Sequence, residues 1–114
     1  MTEPGEMNVL LEKIRAFNAE RQWQRFHSPK NLAMALGVEA AELAEHFQWL
    51  TEEQSRNLSL QKRQAVAEEI ADVLIYLLNL ADQLRIDPLA AAHQKILVND
   101  KKYPASKVRG KAEF

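Results

Sequence analysis

Apolar positions along this chain recur at helical spacing and not at strand spacing. From Met7 they return every three or four residues with charged residues between them, which predicts an amphipathic helix to about Trp23. Ser28 followed by Pro29 is typical of a helix start, and the apolar spacing resumes there and continues to about Leu50. The pattern therefore predicts two helices in the first half of the chain.

Three further cap signals divide the second half. Thr51 and Gln54 fit a capping box for a short helix, and Ser59 fits the N-cap of a long one. Asp87 before Pro88 predicts the start of a last helix, which continues until the next proline. With only three glycines and few clusters of β-branched residues, we expect an all-α fold, a bundle of four to five helices.

Two features bear on packing and on the chain ends. Gly37 lies inside the second predicted helix, where glycine costs about 1 kcal/mol relative to alanine, and we interpret it as a point of close packing. Beyond Glu69 the long helix is apolar nearly all round, so we expect it to pack against another subunit. Residues 1–114 are expected to form one domain, with residues 1–6 and 105–114 mobile or extended.

Composition excludes several classes of protein. The formal net charge of −1 gives no basis for nucleic acid or an anionic membrane as the main partner, and without cysteine there is no disulfide or thiolate metal site. The longest apolar run is too short to cross a bilayer, and the acidic N-terminus does not resemble a signal peptide. We therefore expect a cytoplasmic protein.

Two pairs of acidic residues are the main candidates for chemistry. Glu39 and Glu42 are three residues apart on one predicted helix, and Glu69 and Asp72 are three apart on another, so each pair shares a helix face. Both pairs lie in apolar segments, and the chain between them is long enough to let the helices become antiparallel neighbours. Either the four acids are a solvated surface or they form one cluster. Glu45 is a possible further ligand.

A cluster of this kind requires a cation. Two like charges ~4 Å apart cost about 4 kcal/mol at an effective dielectric constant near 20. A small domain cannot accept that cost several times, so the cluster binds metal or is partly protonated. Mg²⁺ fits best, because it is held by few carboxylates together with waters and substrate phosphates.

Other residues are candidates for binding a substrate. Trp23 and Trp49 lie near predicted helix ends, where they either pack in the core or stack on a flat ring such as a nucleobase. His27 is a further candidate, with a hydrogen bond to the turn before Pro29 as the alternative. The last helix carries four residues on one side that suit a triphosphate beside a metal: Lys95, Asn99, Lys102 and Tyr103.

These residues together resemble a known family. The four acids match the ExxE…ExxD signature of the all-α nucleoside triphosphate pyrophosphatases, the MazG-like group, and within it the chain looks most like the dCTP pyrophosphatases. Further matching blocks cover residues 20–32, 42–49, 72–77 and 95–104, so the resemblance extends over nearly the whole chain. In this comparison residues 106–114 look like the start of a longer family tail.

The resemblance implies a reaction. Enzymes of this group hydrolyse a nucleoside triphosphate, here dCTP or a modified dCTP, to the monophosphate and pyrophosphate, which cleanses the nucleotide pool. Water attacks the α-phosphorus while Mg²⁺ is held by acids at the positions of Glu39, Glu42, Glu69 and Asp72. A broader MazG-like triphosphate specificity remains an alternative. So does a non-catalytic helical module that binds nucleotides or supports assembly.

The resemblance also implies a binding site and an assembly. Residues matching Trp23 and Trp49 enclose the base, and those matching Tyr76, Lys95 and Asn99 lie near the nucleotide. Family members assemble through their long helices, so a homodimer or a homotetramer built as a dimer of dimers is expected.

Overall fold

The computed structural model describes residues 5–111 and contains no strand in that range. The helices are α1 (Glu6–Glu20), α2 (Pro29–Glu45), α3 (Glu52–Arg56), α4 (Leu60–Gln83), α5 (Pro88–Lys102) and α6 (Ala105–Val108), with a 3₁₀ turn at Gln24–Phe26 between α1 and α2. The prediction of an all-α fold is confirmed. None of the helices in the described range is long and apolar enough to span a membrane.

The predicted helix starts are present. The Ser28 side chain accepts a hydrogen bond from the third residue of α2, and Ser59 does the same for α4. Thr51 and Gln54 form the complete capping box, with each side chain accepting from the backbone N–H of the other. Asp87 accepts from two backbone N–H groups of α5. Short-range hydrogen bonding therefore decides where these helices begin.

The end of α1 differs from its prediction. The helix ends at Glu20 and not near Trp23, because Gln22 adopts a left-handed backbone with φ of 54°. The N–H of Gln22 donates to the carbonyl of Ala19, and the N–H of Trp23 donates to the carbonyl of Asn18 at 3.0 Å. This pair of bonds is a Schellman motif, which satisfies the last carbonyls of the helix and turns the chain.

Further expectations need correction. Helix α2 ends at Glu45 and not near Leu50, because the N–H of Phe47 and of Leu50 donate to carbonyls three residues back in tight turns. The expected close packing at Gly37 is wrong, since a Cβ placed there meets nothing within 4 Å.

The chain ends are partly helical. Residues 105–108 form helix α6, where an extended or mobile tail was expected, and Glu6 already belongs to α1. The rest of the expectation about mobile ends concerns residues 1–4 and 112–114, which lie outside the described residues.

The chain divides into two compact units, residues 1–84 and 85–114. In the first, α2 packs along α4, and α1 also contacts α4. Its most buried side chains are Leu32 and Leu78, 1% and 3% exposed. The second unit contains α5 and α6, which bury no side chain fully among the described residues.

Helices α1 and α4 run antiparallel. Arg15 pairs with Asp82 and Asn18 pairs with Asn79, so residue numbers rise along one helix as they fall along the other. Both pairs face across the same groove between the two helices. This register carries the end of α1 towards the acidic segment of α4.

Large apolar side chains remain exposed on the first unit. Ile70, Leu74 and Leu77 follow one another at intervals of three and four on α4, and they are 53%, 37% and 43% exposed. Met34 and Val38 on α2 are 67% and 57% exposed. The three α4 residues form an apolar stripe along one face of that helix, and the described part of this chain does not cover it.

Candidate active site

Three of the four predicted acids converge where α2 packs against α4. One carboxylate oxygen from each of Glu39, Glu69 and Asp72 can be chosen so that the three lie within 4.8 Å of one another. Glu39 comes from α2, and Glu69 and Asp72 come from successive turns of α4. The spacing within α4 places Glu69 and Asp72 on one face, and the packing of α2 on α4 brings Glu39 to them.

This packing raises the pKa of Glu39. Burial, the largest cause, and the neighbouring carboxylates of Glu42, Glu69 and Asp72 together raise its pKa from 4.5 to about 7. A proton on Glu39 relieves the repulsion between these groups. A cation in the cluster does the same and displaces that proton.

The donor set fits a hard divalent cation. The Oε2 atoms of Glu39 and Glu69 are buried and have no hydrogen-bond partner in the part of the chain described. Buried carboxylate oxygens normally have a hydrogen-bond donor or a metal as a partner. This group of acids can therefore hold a metal ion, with oxygen ligands of the kind that Mg²⁺ and Ca²⁺ prefer. Glu42 and Glu45 are exposed and lie outside the three-residue group.

A cavity of about 380 Å³ begins beside the cluster. Asp72 belongs to both, so the cavity wall is continuous with the acids. Its other lining residues come from α1, the turn after it and α4: Leu10, Lys13, Ile14, Phe17, Asn18, Trp23, Ile75, Tyr76 and Asn79. The volume lies within the usual range for small-molecule sites, and the wall is mostly apolar and aromatic with a few polar groups, as is typical of such sites.

Trp23 is oriented by its neighbours at the end of α1. Its ring meets Phe17 edge-on with centroids 5.6 Å apart, and the Arg21 guanidinium lies 3.6 Å from the Phe17 centroid. The His27 ring also meets Trp23 edge-on, with centroids 6.2 Å apart. Trp23 is 41% exposed, so much of its surface remains available beside the cavity. His27 thus contacts the cavity wall and does not line it.

Trp49 is placed differently from Trp23. It lies in the turns after α2, is 86% exposed, and is not among the residues that line the cavity. Tyr76 does line it, half-buried on the same α4 face as Asp72. Within the first unit, the structure therefore brings Trp23 and Tyr76 to the acids and leaves Trp49 on the surface. The binding role of Trp49 stays a prediction.

The phosphate-binding candidates belong to the second unit. Lys95 is exposed and Asn99 is half-buried on α5. The N–H of Tyr103 donates to the carbonyl of Asn99 at 2.7 Å, and the Lys102 ammonium lies 5.2 Å from the Tyr103 ring centroid. The Tyr103–Asn99 bond is the C-terminal cap bond of α5, and the role of the four residues in binding phosphate stays a prediction.

Two buried asparagines are among the lining residues that sequence reasoning missed. Asn18 and Asn79 are both buried, 8% exposed, and are joined by a hydrogen bond of 2.8 Å from Asn18 Nδ2 to Asn79 Oδ1. The available signal was that each interrupts an apolar helix face: Asn18 follows Ile14 by four residues, and Asn79 follows Ile75 by four. An amide at such a position requires a partner in the interior.

Comparison with known proteins agrees with this arrangement. The model of the MazG-like family matches residues 34–113, which include all four acids. The chain belongs to the MazG-like family. A solved structure of a pyrophosphatase from Archaeoglobus fulgidus superposes on it with a TM-score of 0.85 and 41% identity, over 91% of this MazG-like chain and 97% of that one.

Curated relatives are similar over most of the chain. It is 45% identical over 105 residues to dCTP pyrophosphatase 1 of Homo sapiens and 44% identical over 108 residues to that of Bos taurus. These alignments cover 87% and 90% of this chain. The chain spans 62% and 64% of the length of these two relatives.

Proposed function

We propose that this chain hydrolyses dCTP, or a modified dCTP, to the monophosphate and pyrophosphate with Mg²⁺ at the acidic cluster. One observation carries this proposal: Asp72 belongs to the acidic cluster and also lines the aromatic cavity. A nucleotide has a flat base at one end and a charged phosphate chain at the other, so this site complements both ends. The names of the curated relatives support the choice of dCTP.

The acids have distinct tasks in this proposal. Glu39, Glu69 and Asp72 hold the metal, because an oxygen of each already converges, and Oε2 of Glu39 and of Glu69 has no hydrogen-bond partner among the described residues. The bound metal supplies positive charge at the phosphate oxygens. Glu42, which the family resemblance implies as a fourth metal ligand, neighbours Glu39 but lies outside the converging group, and in this proposal its carboxylate accepts the proton of the attacking water. Water bonds to the α-phosphorus as the bond from that phosphorus to the bridging oxygen breaks, and pyrophosphate leaves with that oxygen.

The cavity residues have the task of holding the nucleotide. Trp23 and Tyr76 offer aromatic faces for the base, one from the end of α1 and one from α4. Lys95, Asn99, Lys102 and Tyr103 are proposed as phosphate contacts on the family resemblance. These contacts fix the position of the phosphorus relative to the acids, which is a major contribution to catalysis of phosphoryl transfer.

The proposed partner of the apolar stripe is a second copy of this chain. Ile70, Leu74 and Leu77 occupy one side of α4, and Met34 and Val38 add exposed apolar surface from α2. An apolar surface of this kind is typical of a protein interface. A twofold dimer buries the same surface on both copies, and two such dimers form the tetramer alternative.

A substrate panel tests the reaction. The purified protein is incubated with each of the common dNTPs and Mg²⁺, and the products are separated as monophosphate, pyrophosphate and orthophosphate. We expect the monophosphate and pyrophosphate in equal amounts, fastest from dCTP. Equal rates on every triphosphate would favour the broader specificity, and release of orthophosphate would contradict the proposed bond cleavage.

Paired variants separate catalysis from binding. Asp72→Asn removes one acid of the cluster, and Glu68→Gln removes an exposed acid from the same helix as the matched control. We expect turnover to be lost only in Asp72→Asn. If wild type shows no turnover but is stabilised thermally by nucleotide with Mg²⁺, the chain is a nucleotide-binding module and not an enzyme.

A further inference from the structure

The Asn18–Asn79 pair is a polar feature in a largely apolar part of the cavity. Asn18 comes from α1 and Asn79 from α4, and both line the cavity while remaining 8% exposed. Their mutual hydrogen bond of 2.8 Å uses one Nδ2 hydrogen of Asn18 and one lone pair of the Asn79 carbonyl oxygen. The other polar groups of both amides border the cavity.

The two polar atoms that take no part in that bond are one acceptor and one donor. They are Asn18 Oδ1 and Asn79 Nδ2, and within residues 5–111 neither atom makes a hydrogen bond. Neither atom is fully enclosed, because the fully buried side-chain polar atoms without a partner in this range are Oε2 of Glu39 and Oε2 of Glu69. Each amide carries two donor hydrogens and a carbonyl acceptor, so the linked pair presents an accepting oxygen beside a donating NH₂ group.

The position of this pair relative to the acids suits a nucleotide. Asp72, Tyr76 and Asn79 lie at intervals of four and three residues on α4 and therefore share one face. Asp72 and Asn79 are seven residues apart, which is about 10 Å along a helix axis. Tyr76 lies between them, and Trp23 completes the wall from the end of α1. A phosphate at Asp72 thus directs the base past the aromatic rings and towards the two amides.

We propose that Asn18 and Asn79 recognise the hydrogen-bonding edge of a pyrimidine base and that, in the orientation seen here, they select cytosine. This inference rests on the proposed nucleotide function. Asn18 Oδ1 accepts from the 4-amino group, and Asn79 Nδ2 donates to N3. Uracil and thymine present an acceptor at position 4 and a donor at N3, so both contacts are reversed for them. Because the amides are hydrogen-bonded to each other, accepting uracil requires both to turn over together.

The test assigns each amide to one atom of the base. Three triphosphates are compared: dCTP, its 3-deaza analogue, in which N3 becomes C–H, and the 2-pyrimidinone analogue, which lacks the 4-amino group. In wild type each altered base should lower kcat/KM about tenfold or more, the usual consequence of losing a partner for a buried polar group. In Asn79→Leu the penalty for 3-deaza should disappear while the penalty for 2-pyrimidinone remains. Asn18→Leu should show the reverse.

Binding measurements keep the inference separate from the proposed reaction. The same three bases are supplied as α,β-imido triphosphates, which cannot be hydrolysed at that bond, and Kd is measured by calorimetry on wild type and both variants. Absence of turnover by wild type with the same pattern in Kd would contradict the proposed reaction and support base recognition by the amides. Equal Kd for the three bases in wild type would overturn the inference even if dCTP is hydrolysed.

A matched cavity variant controls for altered shape. Ile75→Val changes another lining residue by one methyl group and leaves both amides in place. It should alter binding of all three bases by the same factor. If a Leu variant does not fold, as judged by circular dichroism, the Ser variant at the same position is measured instead, and the same pattern is expected.

Discussion

Arg15 makes a two-point ion pair with Asp82 across α1 and α4. Its Nη2 lies 2.6 Å from Oδ1 and its Nε lies 3.1 Å from Oδ2. The hydrogen bond and charge of Arg15 lower the pKa of Asp82 below its ordinary value of 3.8. The pair lies one helical turn from the Asn18–Asn79 bond, and together the two contacts set the register between the helices that enclose the cavity.

Breaking this ion pair should destabilise the first unit and change its response to acid. A carboxyl group with a lowered pKa contributes stability above 3.8 and loses that contribution as the pH falls through its folded-state pKa. Asp82→Asn should therefore lower the midpoint of thermal unfolding by a few degrees at pH 7 and by progressively less below pH 4. Thermal melts across pH measure this difference. Arg56→Ala, which removes an exposed pair 4.0 Å long, is the control and should change little.

Removing an acid from the cluster should have opposite effects on activity and on metal-free stability. Glu69→Gln relieves repulsion among the carboxylates, so the metal-free protein should melt at a higher temperature than wild type. It should also lose the thermal stabilisation by Mg²⁺ and about 10²–10³-fold in kcat, the usual cost of removing one electrostatic contact to the reacting group. Calorimetric melts with and without Mg²⁺, together with kcat, measure the three effects. Glu68→Gln should show none of them.

Metal affinity should depend on pH through Glu39. Its pKa is about 7 in the folded protein against 4.5 ordinarily, so the folded state holds a proton that the unfolded chain has lost. Metal-free stability should therefore fall as the pH rises from about 4.5 to 7, and metal affinity should rise over the same range as the proton leaves. Glu39→Gln should remove both dependences. Calorimetric titrations with Mg²⁺ in buffers of different ionisation enthalpy count the released proton, and a pH-independent affinity in wild type would contradict the prediction.

The two tryptophans should respond differently to nucleotide. Trp23 lines the cavity, whereas Trp49 is 86% exposed outside it. Because these are the only tryptophans in the sequence, Trp49→Phe leaves Trp23 as the single reporter and Trp23→Phe leaves Trp49. A non-hydrolysable dCTP analogue should quench fluorescence in Trp49→Phe and leave it unchanged in Trp23→Phe. A response confined to Trp49 would assign the base contact to that residue.

The apolar stripe on α4 should control assembly. Leu77→Glu places a charge in a surface that the proposal buries between two copies, so this variant should sediment as a smaller species than wild type. Val9→Glu is the control, since Val9 is equally exposed, at 42%, but lies on α1. Analytical ultracentrifugation over a range of concentrations distinguishes the species. Identical sedimentation of wild type and Leu77→Glu would show that the stripe is not the interface.

Local patterns in the sequence determined the helices, most of their starts and the sharing of a face within each acidic pair. Helix periodicity and N-caps depend on residues three or four apart, so they can be recognised without knowledge of the fold. The cap at Asp87 and the i, i+3 relation of Glu69 and Asp72 are examples. The family signature rests on this same local information.

Only the tertiary structure decided which of these residues meet. The approach of Glu39 to Asp72 and its raised pKa depend on how α2 packs on α4, and the Asn18–Asn79 bond depends on the register of α1 against α4. Distant pairs of this kind are selected by the packing of whole helix faces and not by spacing within one helix. The left-handed turn at Gln22, which brings Trp23 to the cavity, likewise ends a helix at a residue that carries no sequence signal for it.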